Sequence, residues 1–194
     1  MPAAPRFLLF DPTGESWPKV SLPQVAFAGR SNVGKSSLLN ALVGHKRLAH
    51  VSKTPGRTRG LAVFEVEGKF AFVDLPGYGY AKVSREERDA WRVLVEGYLS
   101  SCRLLRKVYL LVDVRRGPEE EEWMLSSYLS QRGIPTRWIG TKVDKLSASE
   151  RAAVAARFAD PAGSGKGSEP LLVSASTREG IERLWRDIRT SFSA

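Results

Sequence analysis

Cysteine is nearly absent from this sequence, since Cys102 is the only one among 194 residues. An internal disulfide is therefore excluded, and a reducing cytoplasm is the simplest location for such a chain. We expect Cys102 to be a half-buried helical thiol and not a catalytic nucleophile.

The sequence also lacks long apolar runs. No stretch approaches the roughly 20 residues that a membrane-crossing helix needs. The apolar patch at residues 7–10 is too short for a signal peptide, and the last residues contain no prenylation cysteine. We expect a cytoplasmic protein without stable membrane association. No exposed apolar stripe stands out, so we also expect a monomer.

Acidic residues are missing from a long segment near the start of the chain. Between Ser16 and Phe64 there is no Asp or Glu, and the whole chain carries a formal net charge of +9. Such a segment points to a polyanion, either bound phosphates or nucleic acid, although a solvated basic face is the alternative. Its eight basic residues are Lys19, Arg30, Lys35, Lys46, Arg47, Lys53, Arg57 and Arg59.

Apolar strand-like runs alternate with amphipathic helical stretches, which is typical of βα units around a parallel sheet. We predict one α/β domain over residues 21–194, preceded by an N-terminal extension over 1–20. The predicted strands are 24–29, 61–66, 69–74, 108–113, 135–141 and 171–174, with a hairpin at 67–68. The predicted helices are 35–43, 85–101, 119–131, about 147–158, and a closing helix whose apolar face runs from Ile181 to Phe192.

The strongest motif is GRSNVGKS, residues 29–36, which matches G-x-x-x-x-G-K-S between a predicted strand and a predicted helix. Gly29 and Gly34 let the backbone curl so that its N–H groups point at a β-phosphate, and the helix adds its dipole. Lys35 supplies a charge to the β- and γ-phosphates, and the Ser36 hydroxyl is a ligand for Mg²⁺. The motif predicts a nucleoside triphosphate site.

A second motif, TKVD at residues 141–144, indicates which base is bound. The Asp144 carboxylate accepts two hydrogen bonds from the N1–H and 2-amino groups of guanine. Adenine offers a lone pair there instead, and an unpaired buried charge is costly. The Lys142 stem lies over the base, and the Ala175 N–H in SAS (174–176) reaches guanine O6. These motifs at βα junctions favour GTP over ATP.

Together the motifs resemble those of P-loop GTPases, and in particular the EngB (YsxC/YihA) family of bacterial ribosome-biogenesis GTPases, in the TrmE–Era–EngA–EngB–septin group. The resemblance rests on PGRTR (55–59), DLPGYGYAKV (74–83), TKVD and VSASTREGI (173–181), and spans about residues 20–190. It implies a three-layer Ras-like G domain whose mostly parallel sheet has six or seven strands and helices on both faces.

The resemblance also implies roles for individual residues. Thr58 would contact Mg²⁺ when GTP is bound, with Thr54 as the alternative, Asp74 would hold the metal through water, and the Gly77 N–H would touch the γ-phosphate. The residues expected to take part in hydrolysis are Lys35, Thr58, Gly77 and Asn32. The residues expected to bind the nucleotide are Gly29, Arg30, Ser31, Asn32, Val33, Gly34, Lys35, Ser36, Gly56, Arg57, Thr58, Arg59, Gly60, Asp74, Leu75, Pro76, Gly77, Thr141, Lys142, Val143, Asp144, Ser174, Ala175 and Ser176.

Tyr78 stands where many GTPases carry a glutamine that orients the attacking water. A phenol cannot donate and accept as an amide does, so we expect slow intrinsic hydrolysis. Asn32 matches the asparagine that helps hold K⁺ in related TrmE-type GTPases, although it alternatively only stabilises the turn. By resemblance, the partner would be the large ribosomal subunit and its RNA, with a link to division septation.

Three other functions compete with this hypothesis. The chain could be an RNA-binding module that uses GTP as a structural ligand, a membrane-associated signalling GTPase, or an ATPase with the same phosphate loop. The lack of a lipidation site argues against the second, and Asp144 argues against the third.

Overall fold

A seven-stranded sheet organises the protein in the computed structural model, which describes residues 5–45, 60–79, 84–159 and 169–193. The strand order across the sheet is β1-β3-β4-β2-β5-β6-β7. The strands are β1 (Arg6–Asp11), β2 (Gln24–Gly29), β3 (Leu61–Val66), β4 (Phe70–Asp74), β5 (Leu105–Asp113), β6 (Thr136–Thr141) and β7 (Leu171–Leu172).

Six α-helices and two short 3-10 helices connect these strands in the described ranges. The α-helices are α1 (Lys35–Val43), α2 (Arg85–Ser101), α3 (Glu120–Gln131), α4 (Ala148–Ala152), α5 (Val154–Arg157) and α6 (Ile181–Thr190). The 3-10 helices are Trp17–Lys19 and Val143–Lys145. No helix in these ranges is both long and apolar enough to cross a membrane.

The sheet is mostly parallel, as the sequence predicts. Strand β2 pairs in parallel with β4 and β5, and β5–β6 and β6–β7 are also parallel, whereas β3 pairs antiparallel with β4 and β1. The predicted hairpin is confirmed, with Glu67 and Gly68 at φ 56° and 67°. The parallel strands all end at one edge of the sheet, where α/β folds bind their ligands.

Helices cover both faces of the sheet. On one face, α2 buries Leu94, Val95, Tyr98 and Leu99 against the sheet. On the other face, α1 and α6 bury Leu38, Leu39, Leu42, Ile181, Leu184 and Ile188. Each such side chain contributes about 1.5–3 kcal/mol of burial free energy. This packing holds the strand ends and their loops in fixed positions.

The segment predicted as an N-terminal extension contributes a strand that the sequence analysis missed. Strand β1 forms an edge of the sheet beside β3, and its pairing register shifts between Phe7 and Leu9. At its end, the buried Asp11 carboxylate accepts hydrogen bonds from the backbone N–H groups of residues 13–17 at 2.8–3.3 Å. These residues are therefore built onto the sheet, at least from Arg6 onward.

Four further predictions need correction. The helix predicted over about 147–158 is divided at Ala153 into α4 and α5. Strand β7 has two residues where four were predicted, and β5 begins three residues earlier than predicted. Cys102 is buried at the C-cap of α2, and its burial raises the pKa of the thiol, which disfavours the reactive thiolate.

Candidate nucleotide site

The predicted phosphate loop lies between the end of β2 and the start of α1. Asn32 and Gly34 have φ values of 65° and 101°, and Gly34 is the N-cap of α1. A side chain at Gly29 would place its Cβ 2.9 Å from the Leu111 carbonyl oxygen, so glycine is required where the loop leaves the strand. No side chain caps α1, which leaves its first N–H groups available to an anion.

Lys35 and Asp74 contact each other at the centre of this site. Lys35 Nζ donates a hydrogen bond to Asp74 Oδ1, and the two side chains are only 11% and 5% exposed. Strand pairing explains the contact, because Asp74 ends β4 opposite Phe27 of β2. The residue predicted to hold phosphate and the residue predicted to hold the metal thus neutralise each other, and a Mg²⁺–triphosphate complex would supply opposite charge to both.

Ser36 and Asp74 offer the oxygen ligands that Mg²⁺ prefers. Ser36 is exposed in the first turn of α1, one residue after Lys35. The donor set therefore fits the metal, with Ser36 as a direct ligand and Asp74 acting through water. The third predicted ligand, Thr58, lies outside the described residues, as do Thr54, Gly56, Arg57 and Arg59.

The predicted base-recognition residues come together at the ends of β6 and β7. Asp144 Oδ1 accepts a hydrogen bond from the Ser174 hydroxyl at 2.7 Å, and Ser176 lies 3.0 Å from Ser174. The hydrogen bond from Ser174 holds the pKa of the Asp144 carboxyl below its ordinary value. Asp144 is therefore an ionised acceptor at neutral pH, as recognition of two guanine donors requires.

A cavity of about 170 Å³ opens beside Asp144. Its lining includes Gly34, Lys142, Ala175 and Ser176, so it joins the phosphate loop to both base motifs. Such a slot suits a flat base whose polar edge faces Asp144.

Two side chains of TKVD also brace the phosphate loop. Thr141 Oγ1 donates to the Val33 carbonyl at 2.7 Å, and Lys142 Nζ donates to the Asn32 carbonyl at 2.7 Å. Lys142 adopts φ 62°, and Val143 is buried in the 3-10 helix that follows. The base motif and the phosphate loop are therefore one connected structure.

Gly77 and its neighbours lie directly against the phosphate loop. The Ser31 N–H donates to the Tyr78 carbonyl at 2.9 Å, and the Pro76 carbonyl accepts from Trp91 Nε1 at 2.7 Å. Leu75 is buried, and its N–H donates to Phe27 O at 3.0 Å. These contacts hold the segment 75–79 between β2, α2 and the loop.

The Tyr78 side chain lies between α2 and α3. Its ring meets Trp91 edge-on at 5.4 Å. Its hydroxyl is buried and lies near the Glu122 carboxylate of α3. Burial, and then the Glu122 charge, raise the pKa of the Tyr78 phenol well above its ordinary value. Tyr78 is therefore a structural contact in this conformation.

Sequence reasoning missed several side-chain contacts that support the site. Arg30 pairs with Glu119 and lies 3.7 Å from Glu121, so the phosphate loop is tied to the start of α3. Asp113 accepts two bonds from Arg115, at 2.9 and 2.6 Å, and lies 3.1 Å from Lys142 Nζ. Burial opposes its ionisation, yet these cations lower the pKa of Asp113 to about 2. The sequence signal for the Asp113–Arg115 contact was the charged stretch VDVRR (112–116) at the end of a buried strand.

The glutamates at 119–122 cap α3, as their position predicts. The Glu119 N–H donates to Glu122 Oε2 at 2.8 Å within a capping box. Among the residues that the structure describes, no cluster of three or more His, Cys, Asp or Glu side chains is arranged to hold a metal ion.

Gly60 lies away from these contacts. It is buried at the start of β3, where a Cβ would fall 2.6 Å from the Asp11 carbonyl oxygen. Packing alone therefore requires glycine at this position, and its predicted contact with nucleotide stays a prediction.

The fold and the site together define a P-loop GTPase, and comparisons with known proteins agree. The family model described as "50S ribosome-binding GTPase" matches residues 24–142. The "Probable GTP-binding protein EngB" of Desulfovibrio desulfuricans is 47% identical over 166 residues, covering 85% of this chain and 81% of that protein. Its counterpart from Solibacter usitatus is 43% identical over 180 residues, covering 93% and 92%.

Solved structures give the same result. The crystal structure of a probable GTP-binding protein engB superposes with a TM-score of 0.67 at 26% identity, covering 87% of this chain and 97% of that one. The G domain of the T. maritima FeoB iron transporter gives 0.55 at 28% identity, covering 88% and 98%. The chain belongs to the EngB family of P-loop GTPases, whose members bind GTP and GDP, typically with Mg²⁺, and hydrolyse GTP.

Proposed function

We propose that this protein is a slow, Mg²⁺-dependent GTPase that acts as a nucleotide-dependent switch in assembly of the large ribosomal subunit. Slow turnover is supported by Tyr78, whose side chain is directed toward Trp91 and Glu122. A phenol at position 78 does not supply the side-chain amide that would orient water beside Gly77. A link to division septation accompanies this proposal through the family resemblance. A cytoplasmic location accompanies it through the single cysteine and the lack of long apolar runs.

Potassium is the candidate that would replace the missing glutamine. Asn32 is exposed at φ 65°, and its carbonyl is already engaged by Lys142, which leaves its side-chain amide oxygen available to a cation. An ion there would act as a fixed positive charge beside the phosphates. We expect GTP turnover to be faster in K⁺ than in Na⁺ buffer, and equal rates would remove K⁺ from the mechanism.

The observation that carries the RNA proposal is a cluster of basic residues, here called the basic end, at the edge of the sheet opposite the candidate nucleotide site. The parallel strands begin there and α3 and α6 end there, because these helices run antiparallel to the strands. Carboxylates near these cations are paired, since Glu67 pairs with Arg189 at 2.8 Å and Asp187 with Lys107 at 3.0 Å. The cations of the basic end are Lys69, Arg103, Arg106, Lys107, Arg132, Arg137, Arg186 and Arg189.

Several of these cations are available to a partner. Arg103, Arg106 and Arg186 are exposed and form no ion pair with another described residue. The outer face of α2 differs, because there Arg92 pairs with Glu96 at 2.7 Å. A concentration of unpaired positive charge repels itself and is neutralised by a phosphate backbone. The basic loop at 46–59 lies outside the described residues, and we propose that it supplies the nucleotide-dependent part of the contact.

Sedimentation with large ribosomal subunits tests the proposal. We expect tighter binding with a non-hydrolysable GTP analogue than with GDP, and equal binding in the two states would argue against a switch. Arg103→Glu/Arg106→Glu should weaken binding in both states. The slope of log K against log salt concentration should become shallower by about 0.7–0.9 per lost phosphate contact. The charge-matched control is Arg88→Glu/Arg92→Glu on the exposed face of α2.

The alternative function is an RNA-binding module in which GTP is only a structural ligand. Phosphate release separates the two, because a switch must turn over. Sustained release that Lys35→Ala abolishes would support the GTPase, and binding of GTP without release would support the module.

A further inference from the structure

One hydroxyl of the phosphate loop has no hydrogen-bond partner among the described residues. Ser31 Oγ is buried and makes no hydrogen bond to any residue in the described part of the chain. Its backbone N–H is already used by the Tyr78 carbonyl. A buried hydroxyl without a partner is costly, so such a group in a native site calls for a ligand or another role.

The position of this hydroxyl indicates which part of the ligand it would meet. A Cβ built on Gly77 would lie 3.0 Å from Ser31 Oγ and 3.3 Å from Ser31 N. Ser31 Oγ therefore lies directly against Gly77. The resemblance gives the Gly77 N–H a contact with the γ-phosphate, so the hydroxyl lies beside the place where that phosphate is expected.

The neighbouring side chains of Tyr78, Arg30 and Lys35 have other partners. Tyr78 is directed toward Trp91 and Glu122, and Arg30 is held by Glu119. Lys35, the other donor of the loop, approaches from the side of Asp74.

We propose that Ser31 Oγ–H donates a hydrogen bond to a γ-phosphate oxygen of bound GTP. This inference rests on the proposed function, since it assumes that GTP occupies the site. The serine keeps its proton and forms no covalent bond; it holds the phosphoryl group while water attacks. GDP has no γ-phosphate, so this bond distinguishes GTP from GDP and joins Gly77 to the phosphate loop only in the GTP state.

The variant Ser31→Ala removes the hydroxyl and keeps the Cβ. We expect the Kd for a non-hydrolysable GTP analogue to rise about tenfold or more, because the bond is made to a charged acceptor. Single-turnover hydrolysis should slow, and the Kd for GDP should stay within about twofold of wild type, given that no bond to GDP is lost. Ser100→Ala, on the exposed face of α2, is the matched control.

A merely structural role for Ser31 gives a different result. If the hydroxyl only supported the loop, GDP and GTP analogue would lose affinity together, because the same loop cradles the β-phosphate. That outcome, or unchanged affinity for both ligands, would overturn the inference. Failure of the wild-type chain to bind GDP would instead overturn the proposed function.

A spectroscopic measurement keeps the test independent of stability. In ³¹P NMR of the bound analogue, Ser31→Ala should shift the γ-phosphate resonance and leave the β-phosphate resonance in place. The variant Ser31→Cys, with a weaker donor of similar shape, should give an intermediate affinity for the analogue. Unmoved γ-phosphate resonances in both variants would contradict the proposal.

Discussion

At the scale of single residues, Asp144 has the most specific task in the site. Ser174 donates to one of its oxygens, which lowers the pKa of the carboxyl and fixes its orientation beside the 170 Å³ cavity. The second oxygen lies 3.5 Å from Lys145 Nζ. An ionised carboxylate held in this way can accept from two donors on one edge of a base, and guanine presents two.

The substitution Asp144→Asn tests this recognition. The amide retains the shape and loses one acceptor and the charge, so we expect GDP binding to weaken by about 3 kcal/mol or more. Xanthine carries a 2-carbonyl in place of the amino group and should bind the variant better than guanine does. Calorimetry with GDP and XDP measures both effects, with Asp89→Asn on the exposed face of α2 as control. Unchanged preference for guanine would contradict the role of Asp144.

Local motifs predicted which residues gather at the candidate site, whereas side-chain pairs between residues distant in sequence were not predicted. Gly34, Lys35 and Asp144 stand in short patterns whose spacing reflects one loop and one ligand. Nucleotide binding by Arg30 stays a prediction, and the structure adds a pairing of its side chain with Glu119, 89 residues away. Nothing in the local spacing of either residue indicates that pairing, since only the folded sheet brings the start of α3 to the phosphate loop.

At the scale of elements, α2 holds the segment that follows Asp74. Trp91 donates its indole N–H to Pro76 and packs against Tyr78, so one residue of the helix fixes two residues of the turn. The capping box of Ser84 and Glu87 fixes the start of the helix.

The substitution Trp91→Phe removes the indole N–H and keeps an aromatic ring. We expect a loss of about 1 kcal/mol in the segment's stability and correspondingly faster dissociation of a GTP analogue, because Pro76 O loses its donor. GDP dissociation should change little. Stopped-flow measurements with a fluorescent nucleotide check this, and Trp123→Phe, which packs on Trp138 in another part of the fold, is the control. Equal acceleration for both nucleotides would contradict it.

The turn after β1 depends on one carboxylate. Asp11→Ala removes the acceptor for the N–H groups of residues 13–17, and we expect a loss of about 2–4 kcal/mol of unfolding free energy. Burial alone would raise the pKa of Asp11. The hydrogen bonds from the backbone N–H groups of Trp17, Ser16, Gly14 and Thr13 outweigh burial and lower that pKa. Its stabilisation is therefore complete above the unfolded pKa of about 3.9 and is lost as the pH falls below it.

Chemical denaturation at several pH values measures this contribution. The difference between wild type and Asp11→Ala should be constant near neutral pH and shrink toward pH 3. Asp89→Ala, on the exposed face of α2, should show little difference from wild type. A difference that grows as the pH falls would contradict the assigned role.

The sequence pattern predicted β2, α1 and α2 with their observed bounds, from an apolar run, the phosphate-loop motif and helical spacing respectively. It failed for β1, where the register shift after Phe7 breaks the alternation and leaves Phe7 and Phe10 exposed. It also failed at Ala153, because a run of alanines has no distinct apolar face. The break between α4 and α5 there accompanies the burial of Val154 and Phe158.

At the scale of the whole molecule, nucleotide should stabilise the fold measurably. The site joins β2, β4, β6 and β7 with α1, so a ligand that binds only the folded state raises the unfolding free energy. At a GDP concentration of 100 times Kd the increase should be about 2.7 kcal/mol. Thermal unfolding with GDP and with ADP checks this, and equal stabilisation by both nucleotides would contradict selection for guanine.

The sheet gives the molecule two chemically different poles. Loops after the carboxyl ends of its parallel strands form the candidate nucleotide site, and the amino ends carry arginines that pair with no described carboxylate. The two poles can therefore be altered independently. Reversing charge at the arginine pole should leave the affinity for GDP unchanged, so a loss of particle binding there reports on the partner and not on the nucleotide.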